Sequence, residues 1–432
     1  MRIVHLIAGA GGMYCGSCMQ GNTMVAALRA QGEDVSLFPL YTPLRTDESL
    51  EPHGSLAFGG INVYLQQQSA VFRYLPRFIE RWLDHPALLA WVTRSIGATR
   101  PDRLGPLTVS MLRGEQGQQR KELAKLLQGL EVLQPDVIHL SNVMLAGVAR
   151  TITQHLQVPV VCTLSGEDLF LEQIPPPHYA QVRALLCDRV ADLSALIALN
   201  NYYADFMADY LDVARDRIHV IRPGLNLDGH ARPQSPRPIR RPDEPCTIGY
   251  FGRICPEKGF HLAAEALALL AADPTLPLVR LRAAGYLGAA DRRYFQQVVE
   301  QLVRRGLGDR FEYLGELDRP GKIAFLQSLH IKCFPTVYAE SKGLPVLEAW
   351  ANGVPVVVPN HGTFPELVAD VGGGLLCWPN DPASLAQTLS QLIRDPITAA
   401  GYGCCAQQAV HDRYHAARMA CALSELYSKV QK

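Results

Sequence analysis

Two acidic and two basic side chains stand out for the company they keep. In the run VYAESKGLPVLEAW, Glu340 and Glu348 lie eight positions apart. The apolar run 331–335 before them reads as a β-strand. Gly343 permits a close backbone turn, and Pro345 suits the first turn of a helix, where its missing N–H is not needed. The helix would continue through Leu347, Glu348, Ala349 and Trp350 and stop near Asn352-Gly353. One glutamate thus falls in the loop and the other in the first turns of the helix. The free N–H groups and dipole at such a helix start favour an anion such as a diphosphate. Carboxylates flanking it would accept hydrogen bonds from sugar and ribose hydroxyls. The second pair sits in YFGRICPEKGF, where Arg253 and Lys258 follow the apolar run 246–251 and precede a helical pattern over 261–271. Strand C-termini line the ligand crevice of an open parallel sheet. Two cations there would neutralise a diphosphate leaving group as its charge builds. No clustered Asp/His set stands out, so no metal ligands are expected.

The rest of the chain must supply strands and helices to hold these loops. Apolar strand-like runs at 2–8, 34–40, 136–140, 159–164, 193–199 and 219–222 alternate with helical patterns. The alternation restarts at 246–251, 279–284, 311–314, 331–335, 354–358 and 374–377. Strands bounded by helices imply βαβ units and parallel sheets covered on both faces. Between the two series the tract 229–245 carries five prolines without periodicity and reads as a linker. The expected organisation is an α/β chain of two doubly wound domains, 1–228 and 246–411. The 432-residue length agrees with two cores rather than one.

Composition narrows the class further. Hydrophobic residues make up 48% and charged residues 19%, which is globular. Lys plus Arg and Asp plus Glu are each 41, so the basic excess of a nucleic-acid binder is missing. Eleven scattered cysteines, an odd number, fit reduced thiols in the cytoplasm better than a secreted disulfide framework. The N-terminal apolar run bears His5 and leads into glycines, so it reads as a first strand rather than a signal peptide. No run of ~18 apolar residues would span a membrane. In the segment 72–92, Arg73, Arg77 and Arg81 recur every fourth residue among apolar side chains. It reads either as a solvated helix over the first domain or as an amphipathic helix touching lipid headgroups at the inner face of a membrane.

Cys15-Gly16-Ser17-Cys18 could form a redox pair at a helix start. Its place in a glycine loop of a large chain favours a structural or acceptor-loop role, with redox regulation as the alternative. A zinc site would want a second ligand pair, and Cys404-Cys405 lies far off with poor spacing. Tyr14 occupies the place where a G-x-G-x-x-G dinucleotide fingerprint needs glycine. His139 ends a strand on the crevice side, as an acceptor-side candidate or a buried histidine.

In order, the chain presents F-G-R at 251–253, K-G at 258–259, Glu340 to Glu348 with G-L-P at 343–345, P-V-V at 355–357 and G-x-x-P-E at 362–366. This series resembles the retaining family-4 glycosyltransferases of GT-B fold. The first half matches more loosely, through Gly11-Gly12, D-V-I-H at 136–139 and R-P-G at 222–224. The resemblance implies two Rossmann-like domains facing a cleft, with the last helix, within 412–432, packing back on the first domain. It implies that Arg253 and Lys258, with Gly252 beside them, bind the donor diphosphate. Glu340 would hold donor-sugar hydroxyls, Glu348 the ribose diol, and the backbone N–H groups of Leu344 and Val346 the phosphate. The turn from Gly315 to Leu317 would meet the base, and Gly11 and Gly12 would let the first loop approach donor and acceptor. Members of the family commonly carry histidine in an H-G-x-D sequence after the fourth strand. Here Ser165 takes that place, followed by Gly166, Glu167 and Asp168. Ser165 can still hydrogen-bond a sugar but cannot titrate as imidazole does. Glu167 and Asp168 are acceptor-site groups or a helix N-cap, and Glu366 contacts ligand or caps a helix. The partners implied are a nucleotide sugar (UDP-, GDP- or ADP-linked) and a glycan, lipid or small-molecule acceptor. The rival readings are a non-catalytic sugar-nucleotide binder and an epimerase or phosphorylase on the same fold.

Overall fold

The structure is a computed structural model that describes residues 1–9, 15–42, 44–51, 101–233 and 237–431. Gly11, Gly12 and the segment 72–92 lie outside the described residues. The chain divides into two compact units, residues 1–224 with 416–432 and residues 225–415. Each is built on a six-stranded, all-parallel sheet.

In the first unit, β1 (Arg2–Ile7), β2 (Asp34–Pro39), β3 (Val137–Leu140), β4 (Val160–Thr163), β5 (Ala195–Ala198) and β6 (Ile218–Val220) line up in the order β2-β1-β3-β4-β5-β6. Residue Leu6 of β1 pairs with Leu140 of β3. The strands are short Val/Ile/Leu runs because both faces are covered, and β3 and β5 are buried along their whole length. The terminal helix Ala416–Val430 belongs to this unit and buries Met419, Leu423 and Tyr427 against the core under β1 and β2.

In the second unit, β7 (Cys246–Phe251), β8 (Val279–Ala284), β9 (Phe311–Tyr313), β10 (Ile331–Cys333), β11 (Val356–Pro359) and β12 (Gly374–Cys377) take the order β12-β11-β10-β7-β8-β9. Every strand read from the sequence is present, each within a residue or two of its expected ends. The strand order reverses direction between β1 and β3 in one sheet and between β7 and β10 in the other. Ligands of open parallel sheets bind beyond the strand C-termini at such switch points.

The tract 229–245 read as a linker differs from expectation. Its later part is pinned to the second unit by two arginines that cap helix C-termini. Arg237 donates to the carbonyl of Gln327 at 2.9 Å and to that of Leu329. Arg240 is buried and donates to the carbonyls of Glu244 (2.6 Å) and Ile393. Gln327 and Ile393 end the helices Arg319–Gln327 and Pro382–Arg394, where a cation suits both the orphan carbonyls and the dipole. Proline content alone reads as a spacer; these two arginines fasten the segment to the second unit.

Candidate active site

The loop after β7 is brought onto the end of β10 by two glycines. Gly259 sits at φ +73°, and a Cβ there would fall 1.7 Å from the Pro335 carbonyl oxygen. A Cβ on Gly252 would lie 2.9 Å from the Phe334 ring. With these approaches open, Lys258 reaches across to the β10 loop. Its Nζ donates to Glu340 Oε2 at 2.7 Å and to the Tyr338 hydroxyl, which itself donates to Glu340 Oε2 at 2.7 Å. The other carboxylate oxygen accepts from the Lys342 amide at 3.3 Å. Glu340 is only 5% exposed. Burial opposes its ionisation, but the Lys258 charge and the bonds from Lys258 and Tyr338 prevail and hold it down to about 2. Burial and the same carboxylate push the Tyr338 hydroxyl well above 10.

The G-x-x-P-E segment props this loop from behind. Gly362 lies at φ +62° with room for no Cβ, since one would sit 2.5 Å from the Glu340 nitrogen. The Thr363 amide donates to the Glu340 carbonyl at 2.8 Å. Glu366 stands in the first turn of the helix Phe364–Val371.

Gly343, at φ +71°, caps the helix Leu344–Ala351, with Pro345 in its first turn. The Val346 amide donates to the Gly343 carbonyl at 2.9 Å. It is therefore engaged within the first turn, which corrects its assignment to a phosphate; the Leu344 amide carries no such bond among the described residues. Glu348 is 6% exposed, and its Oε1 accepts from Lys322 Nζ at 2.6 Å. Lys322 comes from the helix Arg319–Gln327, whose N-cap Asp318 accepts from the Gly321 amide at 2.9 Å. Asn352 fixes the other end of the glutamate's turn by donating to the Glu348 carbonyl at 2.9 Å.

Beneath the helix start lies Lys332, fully buried in β10. Its Nζ donates to the Pro345 carbonyl and lies 5.3 Å from the Phe334 ring centre and 5.7 Å from that of Phe251. Burial lowers its proton affinity to about 7, against the pull of Glu348. Arg253 is half-exposed, with its Nε 3.2 Å from Cys255 Sγ and a terminal nitrogen 3.8 Å from Glu257. It bonds to neither of the paired glutamates. Gly315 turns at φ +72° and its carbonyl accepts from the Gly285 amide at 2.8 Å, while Leu317 packs partly buried against the core.

The structure thus joins Lys258 to Glu340 and sets Glu348 within the helix Leu344–Ala351. Tyr338, Lys322 and Lys332 were not anticipated. Tyr338 stands two residues before Glu340, a spacing that could have flagged it. Lys322 and Lys332 carry no sequence signal except that a lysine interrupts an otherwise apolar strand in IKCF.

In the first unit two positions that the sequence left open take buried, fully bonded places. His139 is 1% exposed, with Nδ1 2.6 Å from the Tyr427 hydroxyl and Nε2 2.7 Å from Thr163 Oγ1. Both ring nitrogens are engaged in the core, which is the buried-histidine reading of this position. Glu167, 3% exposed, accepts from the Val143 amide (3.0 Å) and the Ser165 amide (2.7 Å). It ties two loops together instead of facing a ligand. Tyr203 bridges it to Asp168, whose Oδ1 lies 2.7 Å from the hydroxyl; burial raises the Asp168 proton affinity. Ser165 donates to the Ser141 carbonyl at 3.2 Å and accepts from Ser17, of the C-x-x-C sequence, at 3.3 Å. Cys15 is half-buried and Cys18 is buried. Among the described residues no group of three or more His, Cys, Asp or Glu side chains is placed to hold a metal ion, and no helix is long and apolar enough to cross a membrane.

Two six-stranded parallel sheets, each with a switch point, define a doubly wound α/β architecture, and comparison with known proteins gives its class. Residues 22–228 match the model for Glycosyltransferase Family 4, and residues 231–408 match that for glycosyl transferases group 1. The chain belongs to the glycosyltransferases and has the GT-B fold. It is similar to glycogen synthase of Mycobacterium tuberculosis, 28% identical over 296 residues that make up 68% of each chain. It is also similar to D-inositol 3-phosphate glycosyltransferase of Stackebrandtia nassauensis, 26% identical over 408 residues and 87% of each chain. Among solved structures, Anabaena HepE in complex with UDP matches with a TM-score of 0.68 at 17% identity, over 99% of this chain and 100% of that one. Sucrose-phosphate synthase of Thermosynechococcus elongatus matches at 0.70 and 17%, over 100% and 99%.

Proposed function

We propose that the protein is a retaining, metal-independent glycosyltransferase acting in the cytoplasm, with a nucleoside-diphosphate sugar as donor and a hydroxyl-bearing acceptor. The observation that carries the reading is the Lys258–Tyr338–Glu340 cluster beside the start of the helix Leu344–Ala351, at the switch point of the second sheet. Solved complexes of the structurally similar Anabaena HepE with UDP and UDP-glucose support a donor of this kind.

In this reading Glu340 accepts hydrogen bonds from the donor-sugar hydroxyls. Arg253, Lys258 and the helix start take up the charge that develops on the diphosphate. Glu348, with one oxygen held by Lys322, offers the other to the ribose. As the C1–O bond to phosphate breaks, the acceptor oxygen bonds to C1 from the same face, and its proton passes to the leaving phosphate oxygen. No protein nucleophile and no metal ion enter.

The test is to incubate the purified protein with UDP-, GDP- and ADP-sugars and detect which nucleoside diphosphate is freed. Arg253→Ala and Lys258→Ala should each reduce turnover, by about 10²–10³ where a single electrostatic contact to the developing charge is lost. Unchanged turnover in both would remove the phosphate assignment. Full activity in a strong chelator and an α-configured product from an α-linked donor would support metal independence and retention.

A further inference from the structure

In the first sheet the strand order reverses between β1 and β3. The residues that leave β3 at its C-terminal end are Ser141 and Asn142, and both are buried, at 5% and 7% exposure. The Ser141 backbone is fully used: its amide donates to the Leu6 carbonyl at 3.0 Å and its carbonyl accepts from Ser165 at 3.2 Å. Among the described residues neither its Oγ nor Asn142 Oδ1 has a hydrogen-bond partner. Buried polar atoms are nearly always paired, and two adjacent exceptions call for an explanation.

Asn142 makes the point sharper. It holds the N-cap position of the turn Val143–Val148 in an extended conformation, where asparagine normally accepts from an amide of the turn. Here its side chain does not cap. The first amide of the turn, that of Val143, donates to Glu167 at 3.0 Å, and the third, that of Leu145, donates to the Asn142 main-chain carbonyl at 3.2 Å. The asparagine side-chain oxygen takes neither.

We infer that Ser141 and Asn142 form a subsite that reads hydroxyl groups of the acceptor, so that the part of the acceptor held there is a polyol or saccharide ring. The chemistry favours that class. A carbonyl oxygen such as Asn142 Oδ1 needs a donor and gains nothing from a phosphate or carboxylate oxygen. A sugar hydroxyl donates to it and accepts from Ser141 Oγ, and neighbouring ring hydroxyls can serve both. Ser165 and Ser17 continue the same row of hydroxyls.

The inference rests on the transferase reading above, and the experiment separates the two. With the nucleotide sugar found active in the donor screen, acceptor and donor KM are measured for wild type, Ser141→Ala, Asn142→Leu and Asn142→Asp. The acceptor panel is glucose, mannose, galactose, maltose and myo-inositol. Ser141→Ala and Asn142→Leu should raise acceptor KM about tenfold, the worth of one hydrogen bond to a buried group, and donor KM less than about twofold. Asn142→Asp keeps the acceptor oxygen and should stay nearer wild type than Asn142→Leu. Unchanged acceptor KM in both Ser141→Ala and Asn142→Leu would mean that the two oxygens hold water only, and would overturn the inference. Equal rises in donor and acceptor KM would overturn it too. Ser141→Ala removes a single oxygen, so the test stands even if Asn142→Leu misfolds. Should wild type free no nucleoside diphosphate, saturation-transfer NMR with the same sugars decides. Binding that is lost in Asn142→Leu would keep the subsite while the transferase reading falls; binding that persists would end both.

Discussion

Lysine 332 is a buried cation in the middle of a parallel sheet, and its replacement by methionine tests the electrostatic account of the site. The side chain is fully buried, and its proton affinity falls from 10.5 to about 7 because burial penalises the charged form. At pH 7 that difference costs the folded state about 4 kcal/mol relative to an unperturbed lysine. The sign follows from proton counting. The unfolded chain holds a proton on this lysine up to pH 10.5, whereas the folded chain releases it near 7. Stability therefore rises with pH across that interval, and the full penalty applies below it. Methionine fills a similar volume without charge. It forfeits the bond to the Pro345 carbonyl and the approach to the Phe334 and Phe251 rings, together about 1–2 kcal/mol. Lys332→Met should thus be more stable than wild type by about 2–3 kcal/mol at pH 7. The order should reverse near pH 10.5, where the penalty has gone and the lost contacts remain. Urea unfolding of both proteins from pH 7 to pH 10.5 measures the gap directly. A gap that does not change with pH, or a variant less stable at pH 7, would refute the reasoning. A destabilising lysine retained under the helix start also implies a use for its charge. Donor KM should rise as the pH passes above 7 in wild type and stay flat in Lys332→Met.

Other outcomes follow from the same geometry. Glu340→Gln should lower kcat/KM by about 10²–10³, since the group is ionised throughout the working range and no neutral amide can balance Lys258. With its proton affinity held at about 2, Glu340 contributes stability above pH 4.5 that is lost as the pH falls toward 2, so the acid limb of the rate profile above pH 5 should be the same in wild type and Glu340→Gln. Gly259→Ala forces a side chain onto a φ of +73° and against the Pro335 carbonyl. It should cost at least about 1–2 kcal/mol in thermal unfolding and raise donor KM by moving Lys258. His5 and His139 are kept neutral by burial, His5 down to about 4. The unfolded state takes up their protons as the pH falls below 6.5, so the first unit should lose stability between pH 6.5 and 4, and His139→Phe should reduce that slope in acid unfolding without changing donor KM.

The second unit was more legible than the first because its site is contiguous in sequence. Strand, loop, glycine, proline and helix follow one another from 331 to 351, and each carries its own local signal. The K-G step at 258–259 could be read for the same reason. Gly259 was needed for its turn, and the turn delivers Lys258. Lys322 and Lys332 could not be read, since their meeting with Glu348 and Pro345 depends on how a helix and a strand pack from separate parts of the chain. His139 and Glu167 stayed ambiguous for a related reason. A polar residue at a strand end looks the same in sequence whether its partners are a ligand or, as here, Tyr427, Thr163 and two backbone amides. The proline-rich tract misled because composition reports stiffness, not the two arginines that fasten it.

The charges of the second unit sort into two kinds, and the sorting assigns different work to residues that looked equivalent in sequence. Lys258 and Lys322 are each paired with a glutamate at 2.6–2.7 Å. Those pairs are close to neutral, and they fix the carboxylates before any ligand arrives, as preorganised acceptors for hydroxyls require. Arg253 is held only loosely by Glu257, and Lys332 has no carboxylate within ion-pair distance. On the proposed function, the positive surplus open to a diphosphate therefore resides mainly in Arg253, Lys332 and the helix start. Removing Arg253 should weaken the stabilisation of the bound and leaving diphosphate and leave Glu340 with its Lys258 partner. Removing Lys258 also frees Glu340, which then stands buried beside Tyr338 with no counter-charge and takes up a proton more readily. Both variants should lower turnover, but Lys258→Ala should also shift the acid limb of its profile upward, a change that Arg253→Ala should not produce.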